Sequence, residues 1–309
     1  MPGFRAHHIF GDQIVGKLPA GYASTCIKRH RCVYNLGLQG PDLFFYAVPS
    51  HLVHKENIGA TMHHEKTTAF VKALIRAKKK LRNPEYRAIA EAYICGFIGH
   101  YTLDTNAHPY IHYRSKKTEA ESKTHVFGSH LQLETDLDAV IMKHYQHKHI
   151  ADFSCADAIS LSKSERFAVA ILLHFAIRKV YPQITLHIIE IFHAIWSTRQ
   201  LFRIIVDPSG SKKAWLRKFD QRVFGYSYLS GIVASDHIRF HDPANLRHKL
   251  WKNPWDTQRI SREDFFSVFE RAKVDYLRRL NLFISRDIDG LCEDLGSLSY
   301  DTGLPATLQ

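Results

Sequence analysis

Three histidine–acid arrangements in the first half of the chain have the residue types and spacing of a metal site. His100-x-x-x-Asp104 is followed by His108, and His130-x-x-x-Glu134 lies 30 residues further on. Residues four apart share a helix face, so each pair can present an imidazole and a carboxylate to one ion. The stripe through Ile89, Tyr93, Phe97, His100 and Asp104 is apolar up to the pair, and Leu137 and Ile141 play the same part beyond Glu134. Both pairs therefore point toward a core, where a bare carboxylate is costly and a cation compensates it. A lone pair of this kind is usually a surface contact worth tenths of a kcal/mol. Two such pairs on core-facing stripes reverse that expectation. Upstream stand His7 with His8, Asp42 in GLQGPDLFFY, and His63 with His64. Asp42 follows a Gly-Pro turn and precedes four apolar or aromatic residues, so it is a helix cap or a partly buried ligand. Fifteen of the 21 histidines fall within the first 150 positions, a skew that scattered surface residues would not produce.

The elements that must position these groups read as helices. Asn83-Pro84 is a cap followed by a first-turn proline and opens the helix carrying His100 and Asp104. His108-Pro109 is expected to end that helix and free His108 for a different ion. EKTTAFVKALIRAKKK, with Phe70, Leu74 and Ala77, is a second helix that concentrates cations at its C-terminus. Ser162-x-x-Glu165 is a capping box, Asp207-Pro208-Ser209-Gly210 a turn, and Ser261-x-x-Asp264 precedes an amphipathic run. Strand-like alternation is scarce. The expected fold is all-α: a helical bundle enclosing a multinuclear metal site over residues 1–150. A helical C-terminal region, 151–309, would pack beside it or into the same globule.

Composition is ordinary for a globular chain, at 45% hydrophobic and 23% charged residues. Disorder is expected only at the Gly/Ser-containing tail after Cys292. No apolar run reaches the roughly 18 residues that span a bilayer, and the start MPGFRAHHIFGDQ lacks an export signal. Five cysteines without a CxxC pair demand no disulfide, so a cytoplasmic location is expected. The net charge of +12 implies attraction to anions such as phosphates, the acidic lipids of a membrane surface or nucleic acid, and serves solubility equally well. The first 150 residues carry 20 Lys/Arg against 12 Asp/Glu, the rest 22 against 18. In the second half, Lys212, Lys213, Trp215, Arg217, Lys218, Trp251, Lys252 and Trp255 can meet headgroups or nucleic acid, though a helical core with a wet basic face explains them as well.

Taken in order, AHHIFG, GLQGPDLFFY, MHHE, GFIGHYTLD-x-x-x-HPYI and HLQLE resemble the successive ligand motifs of the zinc-dependent phospholipase C family. That family includes secreted bacterial phosphatidylcholine hydrolases and is distantly similar to fungal single-strand nucleases. The resemblance covers roughly residues 3–140. It implies two or three Zn2+ ions held by His7, Asp42, His63, His100, Asp104, His108, His130 and Glu134. Asp42, His63, His100 and Asp104 would hold one ion, His108, His130 and Glu134 a second, and His7 with a bridging Asp104 the third. Asp104 and His108 are closer in sequence than in the secreted enzymes, so His112 or His125 can replace His108. Secreted members also present a processed N-terminal tryptophan to the third ion, whereas this chain begins Met1-Pro2-Gly3-Phe4. The implied activity is phosphodiester hydrolysis of a phospholipid headgroup, with Asp42 as general base and Phe44, Phe45 and Tyr46 as headgroup wall. A nuclease or nucleotidase with the same metals, and a metal-bearing interaction protein without catalysis, are the alternatives.

Overall fold

The fold is that of a computed structural model, which describes residues 3–45, 58–122, 126–227 and 229–306. Its axis is α6, Pro84–Ser122, 39 residues long. Asn83 opens it as expected, its Oδ1 accepting the Glu85 N–H at 2.8 Å. Around α6 lie α1 (Phe4–Val15), α2 (Tyr22–Arg29), α3 (Arg31–Gly37), α4 (Ile58–His64), α5 (Thr67–Lys80) and α7 (Val126–Gln146). A short 3-10 turn over Gly40–Phe44 follows α3. The chain continues through α8 (Cys155–Ala158), α9 (Lys163–Val180), α10 (Ile188–Ile204), α11 (Ser211–Val223), α12 (Leu229–Ile232), α13 (Phe265–Ile284) and α14 (Ile288–Leu295). Among the described residues, strands are limited to an antiparallel pair, Trp251–Lys252 with Ile260–Ser261. The fold is all-α.

Local chemistry sets the helix starts. Ser162 and Glu165 form the capping box of α9, each accepting the other's backbone N–H at 3.2 and 2.9 Å. Asp264 caps α13 by accepting the Ser267 N–H at 2.7 Å. α5 buries Phe70, Leu74 and Ala77 and ends in Lys78, Lys79 and Lys80. Pro109, however, does not end α6, which runs 13 residues beyond it. A mid-helix proline costs about 3 kcal/mol. Ala107, Tyr110 and Ile111 around it are all fully buried, and that packing outweighs the lost backbone bond. His108 therefore stays on the face of His100 and Asp104, at positions i, i+4 and i+8.

One apolar core extends from Phe4 to Tyr300. Its tightest joint sits where α3 crosses α6. A Cβ on Gly96 would lie 2.2 Å from the Tyr34 carbonyl oxygen, and one on Gly37 2.3 Å from that of Tyr93. Two glycines thus let the helices meet backbone to backbone. This contact delivers Leu38 and the 40–44 turn to the level of His100.

The tail after Cys292, expected to be disordered, is built into defined structure over its described residues, up to Ala306. Residues 296–306 fold into turns at Gly296 and Gly303, with φ +65° and +60°. The Ala306 N–H bonds the Ser297 carbonyl at 2.8 Å, and Tyr300 is buried.

Candidate metal centre

Each candidate ligand is placed by a separate local device. α1 enters the core because Asp138 of α7 caps it, its oxygens accepting the N–H groups of Arg5 and Ala6 at 3.2 and 2.9 Å. Burial pushes the Asp138 carboxyl up to about 6, against the pull of the Arg5 cation and these N–H donors. One turn along, His7 is fully buried and stacks on His100 with ring centroids 4.5 Å apart. Gly40 adopts φ +48°, and a Cβ there would lie 2.1 Å from His100 Cδ2. That left-handed turn lets Asp42 fold in beside the His100 ring.

Three backbone carbonyls orient three imidazoles. Nδ1 of His100 faces the Leu38 oxygen at 3.1 Å, that of His63 the Gly59 oxygen at 2.6 Å, and that of His108 the Tyr300 oxygen at 2.8 Å. A carbonyl can only accept, so Nδ1 carries the proton in each ring and the Nε2 lone pair faces the interior. Metal-binding histidines are held in this way.

The inward atoms converge. Asp104 Oδ1 lies 3.1 Å from His7 Nε2, while its Oδ2 lies 3.2 Å from His100 Nε2 and 3.8 Å from His63 Nε2. Asp42 Oδ1 is 3.3 Å from His63 Nε2 and 3.8 Å from His100 Nε2. Ligand atoms of His63, His100 and Asp104 lie within 4.8 Å of one another, as do those of His7, Asp42 and His100, and of His108, His130 and Glu134. His130 Nε2 is 2.6 Å from Glu134 Oε1 across one turn of α7. All eight sequence-derived candidates therefore gather in one place. The groupings overlap, with His100 common to two of them.

Electrostatics fits these residues to a cation. His7 Nδ1 and Nε2, Asp42 Oδ1, His100 Nε2, both Asp104 oxygens and His108 Nε2 are buried without a hydrogen-bond partner. Native interiors rarely leave such atoms unsatisfied. Burial holds His7 and His108 below the usual imidazole range, so both are neutral donors at pH 7. Burial would raise Asp104, but the neighbouring His100, His108 and His7 rings favour its ionised form and hold it well below the carboxylate range. Burial opposes Glu134 too, and His130 keeps it at about 2. His63 moves the other way: burial lowers it, but the Asp42 bond and charge carry it to about 8. His7 and His108 as neutral imidazoles, with Asp104 and Glu134 as ionised carboxylates, are nitrogen and oxygen donors of the kind zinc takes, and an ion bound there would displace the proton that Asp42 favours on His63.

The site is completed by residues that the motif spacing did not reveal. The Tyr300 ring packs 4.9 Å from His63 and 5.6 Å from His100, and its N–H bonds the His63 carbonyl at 3.0 Å. Asp301 lies 3.0 Å from His64 Nε2, 3.5 Å from His108 Nδ1 and 3.9 Å from His112 Nε2. His112 stands between His130, at 4.6 Å, and the half-exposed Trp255, at 4.9 Å. It borders the His108, His130 and Glu134 group, while His108 itself stays within it. The signal for Tyr300 and Asp301 was weak: an acid and an aromatic in a Gly/Ser-rich tail. Of the expected headgroup wall, Phe44 is buried in the core, and Phe45 is half-buried with its ring 5.3 Å from His63. Tyr46 and His125 lie outside the described residues.

Residues 6–180 match the family model described as zinc dependent phospholipase C. No curated protein and no solved structure matches the chain. A match over more than half of the sequence, on the stretch that supplies every converging ligand, shows that the chain belongs to the zinc-dependent phospholipase C family of phospholipase-type hydrolases.

Proposed function

We propose that the protein cleaves the phosphodiester between diacylglycerol and the headgroup of a choline- or ethanolamine-type phospholipid. The observation that carries this reading is the set of seven buried, unpartnered nitrogen and oxygen atoms converging from α1, the 40–44 turn and α6. His63, His100, Asp42 and Asp104 would hold one zinc ion, His108, His130 and Glu134 a second, and His7 with Asp104 a third. Bound there, zinc supplies Lewis acidity toward phosphoryl oxygens and acidifies water at neutral pH.

The chain's own groups do the rest. Asp42 Oδ1, buried and facing His63 and His100, takes the proton of the attacking water as its oxygen bonds to phosphorus. The phosphorus–oxygen bond to glycerol breaks, and the leaving alkoxide takes up the proton that Asp42 received, becoming diacylglycerol and returning Asp42 to its ionised form. The Phe45 ring beside His63 can hold a quaternary ammonium, an attraction of about 0.5–2 kcal/mol. Trp255 suits this role less, because the Lys116 ammonium already lies over it, 5.1 Å from the ring centroid. Peripheral contact with an anionic bilayer agrees with the +12 charge. No helix among the described residues is long and apolar enough to cross a membrane.

Metal and product analysis together test the proposal. The protein should copurify with more than one equivalent of zinc and release diacylglycerol and a phosphorylated headgroup, with mild salt dependence. Less than one equivalent after zinc-replete expression refutes the cluster. Salt-sensitive digestion of single-stranded nucleic acid, with phospholipid intact, replaces the lipid substrate by a polyanion.

A further inference from the structure

Helix α11 is built inside out. Its only acid, Asp220, is fully buried and accepts the Leu229 and Ser230 N–H groups at 3.2 and 2.8 Å. Lys213, near it on the helix wheel, is also buried and reaches Thr135 Oγ1 on α7 at 3.2 Å. The opposite side carries Trp215, Phe219 and Val223 at i, i+4 and i+8, and these are 64%, 41% and 55% exposed. The Trp215 and Phe219 rings lie nearly parallel with centroids 6.1 Å apart, and Phe224 stands edge-on to Phe219 at 6.5 Å. Single apolar residues on a surface mean little. A contiguous aromatic stripe on a helix that turns its acid and one lysine inward marks a face that something covers.

The charges around the stripe indicate what covers it. Lys218 and Arg222 flank it and are exposed. Lys212 sits at its start, its ammonium donating to the Ile204 and Val206 carbonyls at 2.8 and 2.9 Å. With Asp220 buried, the solvent face of α11 offers cations and no acid. A second copy would bring the same cationic rim and another +12 charge, which opposes self-association. Aromatic rings bordered by Lys and Arg match a helix lying in a lipid interface, with rings at headgroup depth and cations on anionic headgroups.

We propose that α11 is the element by which this protein docks on an anionic bilayer, inserting Trp215, Phe219 and Val223. This inference rests on the phospholipid reading above and adds the surface through which the site reaches its substrate. The connection is direct. Lys213 bonds Thr135, Gly231 of α12 packs on Leu131, and Gly128 lies against the Ser227 backbone, all three contacts being on the helix that carries His130 and Glu134. Docking α11 would thus orient the metal-bearing α7 against the membrane.

The test compares the zinc-loaded full chain with W215A/F219A and K218E/R222E, whose altered side chains face water. Vesicle co-sedimentation uses phosphatidylcholine alone and an equimolar mixture with phosphatidylserine. A short-chain phosphatidylcholine below its micelle concentration reports turnover independent of docking. The wild type should favour the anionic vesicles. W215A/F219A should lose at least about tenfold in partitioning. K218E/R222E should lose that preference, at about fivefold per cation removed. Turnover of monomeric substrate should hold in both, and melting and zinc content should report intact folding. Unchanged vesicle binding in W215A/F219A overturns the proposal, and so does a wild-type dimer that this variant dissociates. If the wild type leaves monomeric substrate untouched, the catalytic reading falls, while the vesicle data still decide the docking surface.

Discussion

Gly40→Ala should unseat His100, a ligand of the proposed zinc cluster, without replacing any ligand itself. A Cβ at Gly40 would stand 2.1 Å from His100 Cδ2, 2.5 Å from Cγ and 2.7 Å from Nε2. Carbon–carbon contacts settle near 3.5–4.0 Å, so the ring or the turn must yield by about 1.4 Å or more. A zinc–nitrogen bond of about 2.0–2.1 Å does not survive such a shift. The loss should be about 10- to 100-fold in zinc affinity. At fixed zinc this lowers the stability of the loaded protein by about 1.4–2.7 kcal/mol. The backbone adds a separate cost of about 1–2 kcal/mol, because alanine at φ +48° is strained. The two parts separate experimentally: strain lowers Tm with and without zinc, whereas ligand displacement shrinks the gap between them. Melting curves with and without chelator, alongside elemental zinc analysis, measure both. Gly16→Ala is the control, since φ there is −67° and a Cβ would meet nothing within 4 Å. It should match the wild type or gain up to about 1 kcal/mol. A Gly40→Ala protein with wild-type zinc content and an undiminished gap would refute the claim that this turn positions His100.

Asp104→Asn should lower zinc content, activity and Tm more than His7→Ala, because Asp104 lies within 4.0 Å of His7, His63, His100 and His108, while His7 contributes one imidazole, stacked on His100 and 3.1 Å from Asp104. Equal losses, measured by elemental analysis and melting, would remove Asp104 from its bridging place. Tyr300→Ala should cost about 3–5 kcal/mol by leaving a void against His63, His100 and Tyr101, and denaturant melts should show zinc loss with it. Asp138→Asn tests a buried acid. Burial raises the folded pKa to about 6 from an unfolded value near 3.8, so the protonated form is favoured on folding. Its stabilising contribution is full below about pH 4 and lost as pH rises through 6. The wild type should therefore lose stability relative to Asp138→Asn between pH 4 and pH 7, and a pH-independent difference would contradict the assignment.

Much of the site was legible because helical spacing converts directly into a shared face. His100 with Asp104 and His130 with Glu134 could be paired from i, i+4 spacing alone, and Asn83 marks the start of the helix that carries the first pair, as Ser162 and Asp264 mark those of α9 and α13. His7, Asp42 and His63 carry no such local signal. Only the ordered motif resemblance grouped them, because what unites them is tertiary: the Gly37–Gly96 crossing, the left-handed Gly40 turn and the Asp138 cap on α1. Two readings failed for a related reason. Pro109 predicts a helix end on backbone grounds, but buried Ala107, Tyr110 and Ile111 carry α6 through it. Composition predicts disorder after Cys292, but Gly296 and Gly303 supply left-handed turns around a buried tyrosine.

That tail also bears on where the enzyme's site ends. The family match stops at residue 180, and every converging ligand lies within it. The groups that orient those ligands do not. Leu38 and Gly59 hold His100 and His63 from inside the matched stretch, whereas His108 takes its orientation from the Tyr300 carbonyl, 192 residues away. Asp301 adds a carboxylate 3.5 Å from the same His108 nitrogen, and Trp255 stands beside His112. An imidazole that loses its Nδ1 acceptor is free to rotate or change tautomer, and its Nε2 then no longer faces His130 and Glu134. The second half of the chain therefore packs into the candidate metal centre through Tyr300, Asp301 and Trp255. One end of that half holds His108 in register, and α11 near its beginning offers the aromatic face beside α7.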